Sequence, residues 1–204
     1  MRFYKTAVPE LRLGVLAIQG GFKAHCEVLR ELGAEVNEVR VPGDLEGLDG
    51  LVIPGGESTT ISKGIESAGL EGPIRALHDA GGTIFGTCAG MIVCDSGHLA
   101  LIDASTERNA FGRQLQSFEA DLEIEGIGDE SLRAVFIRAP WVEHCGPEVE
   151  VLSTYDDHPV AIREERVLAC AFHPELTDDP RLHALFMAMT TSAQQSRARE
   201  EAET

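Results

Sequence analysis

The stretch GTIFGTCAGMIV, residues 82–93, changes from the pattern of a strand to the pattern of a helix at Cys88. A short apolar run precedes the cysteine, and small residues flank it. This arrangement mimics the nucleophile elbow G-x-S-x-G, with cysteine in place of serine. Two interpretations of Cys88 are open from this stretch alone. It is either a buried structural thiol or a nucleophile at the start of a helix.

The residue types around Cys88 suit a sharp strand-to-helix bend. Gly86 and Gly90 lie where a side chain would collide with the neighbouring strand or helix. Unpaired N–H groups at a helix N-terminus favour a thiolate. The N–H of Ala89 would point toward the position where an oxyanion forms, so we assign it as an oxyanion donor.

Strand and helix patterns alternate in the first half of the chain. Residues 11–19 have the apolar composition of a buried strand, and strands are also predicted within residues 34–41, 48–56 and 83–87. Residues 22–33 have helical spacing, and residues 71–82 predict a short helix with Pro73 near its start and glycines after its end. This alternation indicates βαβ units and a mostly parallel sheet. Shorter alternating runs in residues 108–172 predict antiparallel hairpins at the sheet edge. A last helix is expected within residues 178–190, with Asp179 as its cap and Pro180 at its first position.

These patterns predict one α/β domain over residues 1–190. We expect a three-layer, flavodoxin-like arrangement, in which helices flank a mostly parallel sheet that carries antiparallel additions. The 204 residues suit one domain of this kind. Residues 191–204 are polar, and we expect them to form a disordered tail.

The composition excludes several classes of function. The formal charge of −17 argues against nucleic acid and anionic membranes as partners. No stretch approaches the roughly 20 apolar residues of a membrane span. The five cysteines are scattered and odd in number, which favours reduced thiols and a cytoplasmic protein.

A nucleophilic Cys88 requires a base and a group that orients the base. The stretch CAFHPELTDD, residues 170–179, contains both types. His173 ends an apolar run, and Glu175 shares its face if the chain is extended, since Pro174 disfavours a helix. The alternative is a turn with an ion pair. Beside the elbow, a Cys88–His173–Glu175 triad is the stronger interpretation.

The stretch LVIPGGESTTISKGI, residues 51–65, places a glycine turn after a strand. It matches neither common phosphate-binding glycine motif. The N–H of Gly56 is a candidate second oxyanion donor, and Glu57 is a candidate contact for an ammonium group. Ser58 or Thr59 is expected to cap the next helix. A tight turn with a helix cap remains an equal alternative.

Together these segments resemble the triad-type (class I) glutamine amidotransferases. Six stretches narrow the resemblance to the glutaminase subunits of pyridoxal 5′-phosphate synthase: GVLAIQGGFKAH, LDGLVIPGGESTTI, IFGTCAGMI, ERNAFGRQLQSFEADL, VFIRAP and FHPEL. The likeness covers nearly the whole chain, apart from about the first ten residues and the tail.

The resemblance implies that Cys88 attacks the side-chain amide of L-glutamine, with His173 as base and Glu175 as its orienter. It also implies a set of glutamine contacts: Gly56, Glu57, Ser58, Arg108, Ile137 and Arg138. In isolation, both arginines would be interpreted as surface ion pairs. No cofactor is implied. The ammonia would pass to a (β/α)₈-barrel synthase that uses ribose 5-phosphate and glyceraldehyde 3-phosphate, in a large hetero-oligomer.

The resemblance also implies that Gln19 and His25 lie near the interface with the synthase. One segment departs from the family, because residues 94–106 are several residues shorter than usual. The position of Arg108 depends on this segment. Cys94 and His98 within it have a metal-like spacing, but no further ligand pair is near in sequence, so no metal site is predicted.

Three other functions remain as alternatives. The first is a glutaminase subunit that feeds a different synthase. The second is an α/β cysteine peptidase or stress protein, although these usually have histidine directly after the elbow cysteine, where Ala89 stands here. The third is a binding subunit without catalysis, which the complete triad disfavours.

Overall fold

This computed structural model describes residues 11–108, 110 and 117–202. Eleven strands and five helices lie within these residues. The strands are β1 (Arg12–Leu16), β2 (Glu35–Val39), β3 (Gly50–Ile53), β4 (Thr83–Thr87), β5 (Ala104–Glu107), β6 (Ser117–Leu122), β7 (Leu132–Ile137), β8 (Trp141–Cys145), β9 (Glu150–Tyr155), β10 (His158–Glu164) and β11 (Val167–Cys170). The helices are α1 (Phe22–Glu31), α2 (Ser58–Ser67), α3 (Glu71–Asp79), α4 (Ala89–Cys94) and α5 (Arg181–Ala202).

Seven strands form the main sheet, in the order β2-β1-β3-β4-β11-β10-β9. Neighbours from β2 to β11 are parallel, whereas β10 and β9 pair antiparallel at one edge. Two antiparallel pairs, β5 with β8 and β6 with β7, form separate small sheets. The predicted α/β fold with antiparallel additions is therefore confirmed.

Helices cover both faces of the sheet. The chain moves from β1 to β2 in one direction and from β3 to β4 in the other. Because such crossovers are right-handed, α1 lies on one face and α2 with α3 on the opposite face. Helix α5 packs beside α1, where Phe186 contacts Phe85 of β4 at a ring distance of 5.6 Å. The apolar composition of the central strands β3, β4 and β11 follows from this double coverage, since their residues are buried throughout.

The C-terminal residues correct one expectation. Helix α5 does not end near residue 190 but continues to Ala202. No glycine or proline follows Thr190 to stop the helix, and two polar side chains attach it to the domain. Gln194 Nε2 and Arg197 Nη2 donate to Asp49 Oδ1 at 3.3 and 3.2 Å. The polar composition therefore marks a solvated helix rather than a disordered tail. Among the described residues, no helix is both long and apolar enough to cross a membrane.

Parallel pairing brings distant parts of the chain to one edge of the sheet. The carboxyl ends of β1, β3, β4 and β11 are neighbours, so the segments that follow them meet there. Gly20, Gly55, Cys88 and His173 all lie in these segments. Open α/β sheets bind ligands at this edge, where the strand order reverses. The elbow at Cys88, the glycine turn at Gly55 and the segment with His173 therefore lie together at this edge of the sheet.

Candidate active site

Cys88 lies at the sharp bend between β4 and α4. Its backbone is left-handed, with φ 49° and ψ −109°, which is uncommon for a residue with a side chain. Such a conformation costs about 1–3 kcal/mol and persists where the surrounding structure imposes it. The residue is 5% exposed, and its thiol donates a weak hydrogen bond to the carbonyl of Ile137 at 3.8 Å.

Both elbow glycines are required by close backbone approaches. A Cβ on Gly86 would lie 2.7 Å from the carbonyl oxygen of Gly90. A Cβ on Gly90 would lie only 1.9 Å from the carbonyl oxygen of Ile53 in β3. These distances agree with the expectation that side chains at the two positions collide with a neighbouring helix and strand.

His173 and Glu175 lie beside the elbow. His173 Nδ1 and Glu175 Oε1 are 2.8 Å apart, and Glu175 is almost completely buried. The local conformation differs from the expected extended chain, because residues 174–176 form one turn of 3-10 helix. Pro174 is compatible with this turn, since a residue at the first helical position needs no N–H bond. The contact between base and carboxylate is therefore formed by a turn.

The charge state of this pair follows from its partners. Burial lowers the pKa of His173, but hydrogen bonds and charges from Cys88 and Glu175 outweigh burial and raise it to about 10. Burial raises the pKa of Glu175, but His173 and the nearby His25 outweigh burial and lower it. The geometry therefore favours an imidazolium held by a carboxylate.

A pocket of about 300 Å³ opens above Cys88. Every residue predicted for the site except Glu175 lines it: Gly56, Glu57, Ser58, Cys88, Ala89, Arg108, Ile137, Arg138 and His173. Glu175 lies behind His173, as an orienting group would. Three further residues of the lining were not predicted as pocket residues: Gln19, Ile92 and Pro140.

Two backbone features position the pocket walls. The N–H of His173 donates to the carbonyl of Val135 at 2.9 Å, which attaches β7 to the triad and brings Ile137 and Arg138 into the pocket. Ala89 is the first residue of α4, so its N–H has no acceptor within the helix. This N–H is available for an oxyanion, as the elbow geometry requires.

Glu57 caps helix α2, which corrects the expectation that Ser58 or Thr59 would do so. Its carboxylate accepts from the N–H of Thr59 at 3.2 Å and from that of Thr60 at 2.7 Å. The Thr60 hydroxyl also donates to it, and these bonds lower its pKa to about 2. Glu57 therefore presents a fixed negative charge to the pocket.

Hydrogen-bonded side chains of the shortened segment, residues 94–106, hold Arg108 in position. Arg108 Nη2 lies 3.1 Å from His98 Nε2, and His98 Nδ1 lies 2.7 Å from Asp95 Oδ1. A guanidinium has no lone pair to offer, so His98 accepts at Nε2 and donates from Nδ1 to Asp95. The Thr106 hydroxyl donates to the other Asp95 oxygen at 2.6 Å. The shorter segment thus still directs Arg108 into the pocket.

The remaining described residues singled out in the sequence lie outside the pocket or at its rim. The stretch RNAFGRQ begins at Arg108, and most of its other residues lie outside the described part of the chain. Cys94 is completely buried, and burial raises the pKa of its thiol. His25 is also completely buried, so it cannot itself contact another protein. Gln19 is partly exposed and accepts from the N–H of Glu57 at 2.9 Å.

The comparisons with known proteins place the chain in a family. A family model described as "SNO glutamine amidotransferase family" matches residues 15–192. The chain belongs to the SNO glutamine amidotransferase family. It is 48% identical over 190 residues to the "Pyridoxal 5'-phosphate synthase subunit PdxT" of Halalkalibacterium halodurans, with 90% of this chain and 96% of the relative covered.

Other relatives agree with this assignment. The protein of the same name from Thermus thermophilus is 50% identical over 186 residues, covering 87% of this chain and 96% of the relative. A solved structure named "Crystal structure of glutamine amidotransferase" is 49% identical, has a TM-score of 0.82, and covers 87% of this chain and 98% of its own. The class I glutamine amidotransferase-like architecture is thereby confirmed.

The unusual histidine pKa values lead to a testable titration. Burial lowers the pKa of His25 to about 4 and that of His183 to about 3, whereas His173 has a pKa of about 10. NMR signals of the imidazole Cε1 protons are expected to show one histidine that keeps its proton to about pH 10 and two that remain neutral well below pH 6. In a His173→Gln variant the alkaline signal must disappear. Its persistence would contradict the assignment.

The same values predict opposite effects on stability. The unfolded chain protonates His25 and His183 near pH 6.5, but the folded chain does not, so both reduce stability as the pH falls below about 6.5. The contribution of His173 is complete below about pH 6.5 and is lost as the pH rises through about 10. Urea unfolding at several pH values measures both the loss of stability below about pH 6.5 and the loss near about pH 10.

Proposed function

We propose that this chain is the glutaminase subunit of a pyridoxal 5′-phosphate synthase, which hydrolyses L-glutamine to L-glutamate and ammonia. The observation that carries the proposal is the position of Cys88. It lies at a strained elbow, beside His173 with the buried Glu175 behind it, and faces a pocket with charged groups of both signs. The relatives named as subunits of this synthase support the choice of synthase.

The chemistry follows the positions of the side chains. Cys88 Sγ attacks the amide carbon of the substrate side chain, and the thiol proton is held on His173 as the imidazolium that Glu175 stabilises. The N–H groups of Ala89 and Gly56 stabilise the oxyanion. The C–N bond then breaks, His173 protonates the departing ammonia, and a γ-glutamyl thioester remains on Cys88. Water activated by His173 cleaves the C–S bond, which releases glutamate and restores the thiol.

The pocket has complementary groups for the amino-acid end of glutamine. Arg108 offers two N–H groups to the α-carboxylate, and Glu57 offers a carboxylate to the α-ammonium. Gly56 and Ser58 with Ile137 and Arg138 complete the walls. The volume of about 300 Å³ is at the small end of ligand pockets and suits one amino acid.

Arg108→Ala is expected to raise KM for glutamine by about 10- to 100-fold, with a smaller effect on kcat. The variant removes a charge-assisted bond to the substrate carboxylate, which is worth about 1.5–3 kcal/mol. Steady-state glutamate release measures both constants. Arg133→Ala is the matched control, because Arg133 is exposed and pairs with Glu119 and Asp121 on the β6–β7 hairpin. An unchanged KM in Arg108→Ala would remove this residue from the binding site.

The ammonia acceptor is part of the proposal. We propose that the chain binds a (β/α)₈-barrel synthase subunit in a hetero-oligomer, which combines ammonia with ribose 5-phosphate and glyceraldehyde 3-phosphate. The glutaminase chemistry itself uses no cofactor. A cytoplasmic location is also proposed, since all five cysteines are free thiols in the structure, as a reducing compartment permits.

Pyridoxal 5′-phosphate formation tests this proposal. The chain is mixed with the barrel subunit of the same organism, and either glutamine or ammonium chloride serves as the nitrogen source. We expect product from both sources with the unmodified chain. With Cys88→Ala, only ammonium should support product formation. Glutamate release without product formation from glutamine would leave a glutaminase that serves a different synthase.

A further inference from the structure

A buried histidine pair lies directly behind the proposed triad. His25 Nε2 is 3.3 Å from Glu175 Oε2 and 3.2 Å from Thr87 Oγ1. On its other side, His25 Nδ1 is 2.9 Å from His183 Nε2. Neither imidazole is exposed to solvent. The hydrolysis chemistry described above assigns no role to either histidine, although one of them touches the carboxylate that orients the base.

The partners of His25 determine its tautomer. Glu175 Oε2 is a buried carboxylate oxygen, and it has no conventional hydrogen bond among the described residues. His25 Nε2 faces this oxygen. An unprotonated Nε2 would set a lone pair against a carboxylate, whereas an Nε2–H directs a proton toward it. Burial lowers the pKa of His25 to about 4, so at neutral pH its single proton lies on Nε2 and its Nδ1 accepts a hydrogen bond.

His183 supplies the donor that this tautomer needs. If His25 Nδ1 accepts, the atom 2.9 Å away, His183 Nε2, must carry a proton. His183 Nδ1 then holds a lone pair, and it is buried without a hydrogen-bond partner in the described structure. The opposite proton arrangement would bury an unpaired N–H at this atom. It would also turn the lone pair of His25 Nε2 toward Glu175.

The second contact of His25 leads to the glycine loop. Thr87 Oγ1 accepts from the N–H of Gly55 at 3.1 Å. Gly55 lies against the reacting groups, because a Cβ on it would lie 2.5 Å from His173 Cε1 and 3.1 Å from Cys88 Cβ. Thr87 therefore holds the loop that contains the proposed oxyanion donor. His25 contacts both this residue and Glu175.

We propose that His25 is a positioning residue of the glutaminase site. It fixes the position of Glu175 relative to the glycine loop that Thr87 holds, and His183 fixes the Nε2–H tautomer that His25 needs for this role. This inference rests on the proposed function. His25 connects Glu175, which orients the base, with Thr87, which holds the loop of the oxyanion donor. Neither histidine touches the substrate pocket, so the expected effect is on kcat rather than on KM.

The kinetic test uses graded variants of the two histidines. His25→Leu removes both contacts and is expected to lower kcat about 100-fold with KM for glutamine within about 3-fold, since misplacement of a base by about 1 Å costs this much. His25→Gln keeps an N–H at the Nε2 position and should recover most of the loss. His183→Leu removes the donor to His25 Nδ1, so the tautomer of His25 is no longer fixed, and kcat should fall about 10-fold. His183→Gln should restore kcat.

A matched control separates positioning from loss of stability. Thr190 is completely buried on the same helix as His183, and its hydroxyl bonds that of Thr83 at 2.6 Å. Thr190→Val removes a buried bond away from the triad and should lower stability without changing kcat. If His25→Leu and Thr190→Val lower kcat equally, or if neither Gln variant recovers activity, the positioning role is wrong.

A measurement on the unmodified protein remains decisive if the variants fail to fold. Nitrogen-15 chemical shifts of the imidazole rings distinguish Nε2–H from Nδ1–H directly. We expect the Nε2–H tautomer in both His25 and His183 at neutral pH. An Nδ1–H tautomer in His25 would overturn the inference. If the triad variants are inactive but His25→Leu has an unchanged kcat, the positioning role is wrong and the proposed function stands. If Cys88→Ala is active, the proposed function itself is wrong.

Discussion

Replacing Cys88 by alanine is expected to lower glutamate release from glutamine by at least about 10⁴-fold. Loss of the nucleophile of a triad removes the covalent route, and comparable losses in a serine protease are near 10⁶-fold. The alanine keeps the Cβ atom in the packed elbow, so the fold should be retained. Glutamate release and a thermal unfolding curve, recorded on the same preparation, measure both effects.

Cys145→Ala is the matched control for this experiment. Cys145 is a half-buried free thiol on β8 and has no place in the pocket. Its replacement should leave glutamate release within about 2-fold of the unmodified protein, since surface substitutions away from a site have small effects. Cys88→Ala with substantial remaining activity would contradict the covalent route. Equal losses in the two variants would indicate damage to the fold instead.

Gly90→Ala is expected to destabilise the protein by about 3 kcal/mol or more, enough to prevent soluble expression in a marginally stable domain. The added Cβ would lie 1.9 Å from the carbonyl oxygen of Ile53. This oxygen belongs to the main chain of a central strand, so it cannot move aside as a flexible side chain would. Helix α4 would have to shift away from β3 and take the elbow with it.

Gly72→Ala makes the same chemical change where space is open. Gly72 lies in α3, is exposed, and has no atom within 4 Å of the added Cβ. Because alanine is the better helix former by about 1 kcal/mol, this variant should be as stable as the parent or more stable. Urea unfolding of both variants gives the comparison. A Gly90→Ala protein as stable as Gly72→Ala would show that the close approach at the elbow is not required.

The sequence predicted much of the fold because its signals are local and strong. Strands β1, β3 and β4 are short, mostly apolar runs with glycine close behind them, and the elbow glycines precede and follow Cys88 at fixed spacing. The extent of α5 was missed for a physical reason. Its last turns are polar on most sides and are attached through single contacts such as Arg197 with Asp49, which no local pattern shows.

The triad and most of the predicted pocket lining were identified from motifs, whereas supporting residues were not. Glu57 was interpreted only as a ligand contact, and its role as a helix cap required the conformation of the loop. His25 and His183 lie 158 positions apart, so their contact depends on α1 and α5 sharing one face of the sheet. No spacing rule connects two residues whose proximity is created by topology.

The central place of β11 has a consequence for biosynthesis. This strand pairs with β4 on one side and with β10 on the other, yet it is synthesised after every other described strand. Until it is made, β4 remains an open edge, and the elbow cysteine has no base beside it. A nascent chain is therefore expected to acquire glutaminase chemistry only after the segment from β11 to Glu175 has emerged. Stalled chains of increasing length should gain the activity in a single step, after His173 has cleared the exit tunnel.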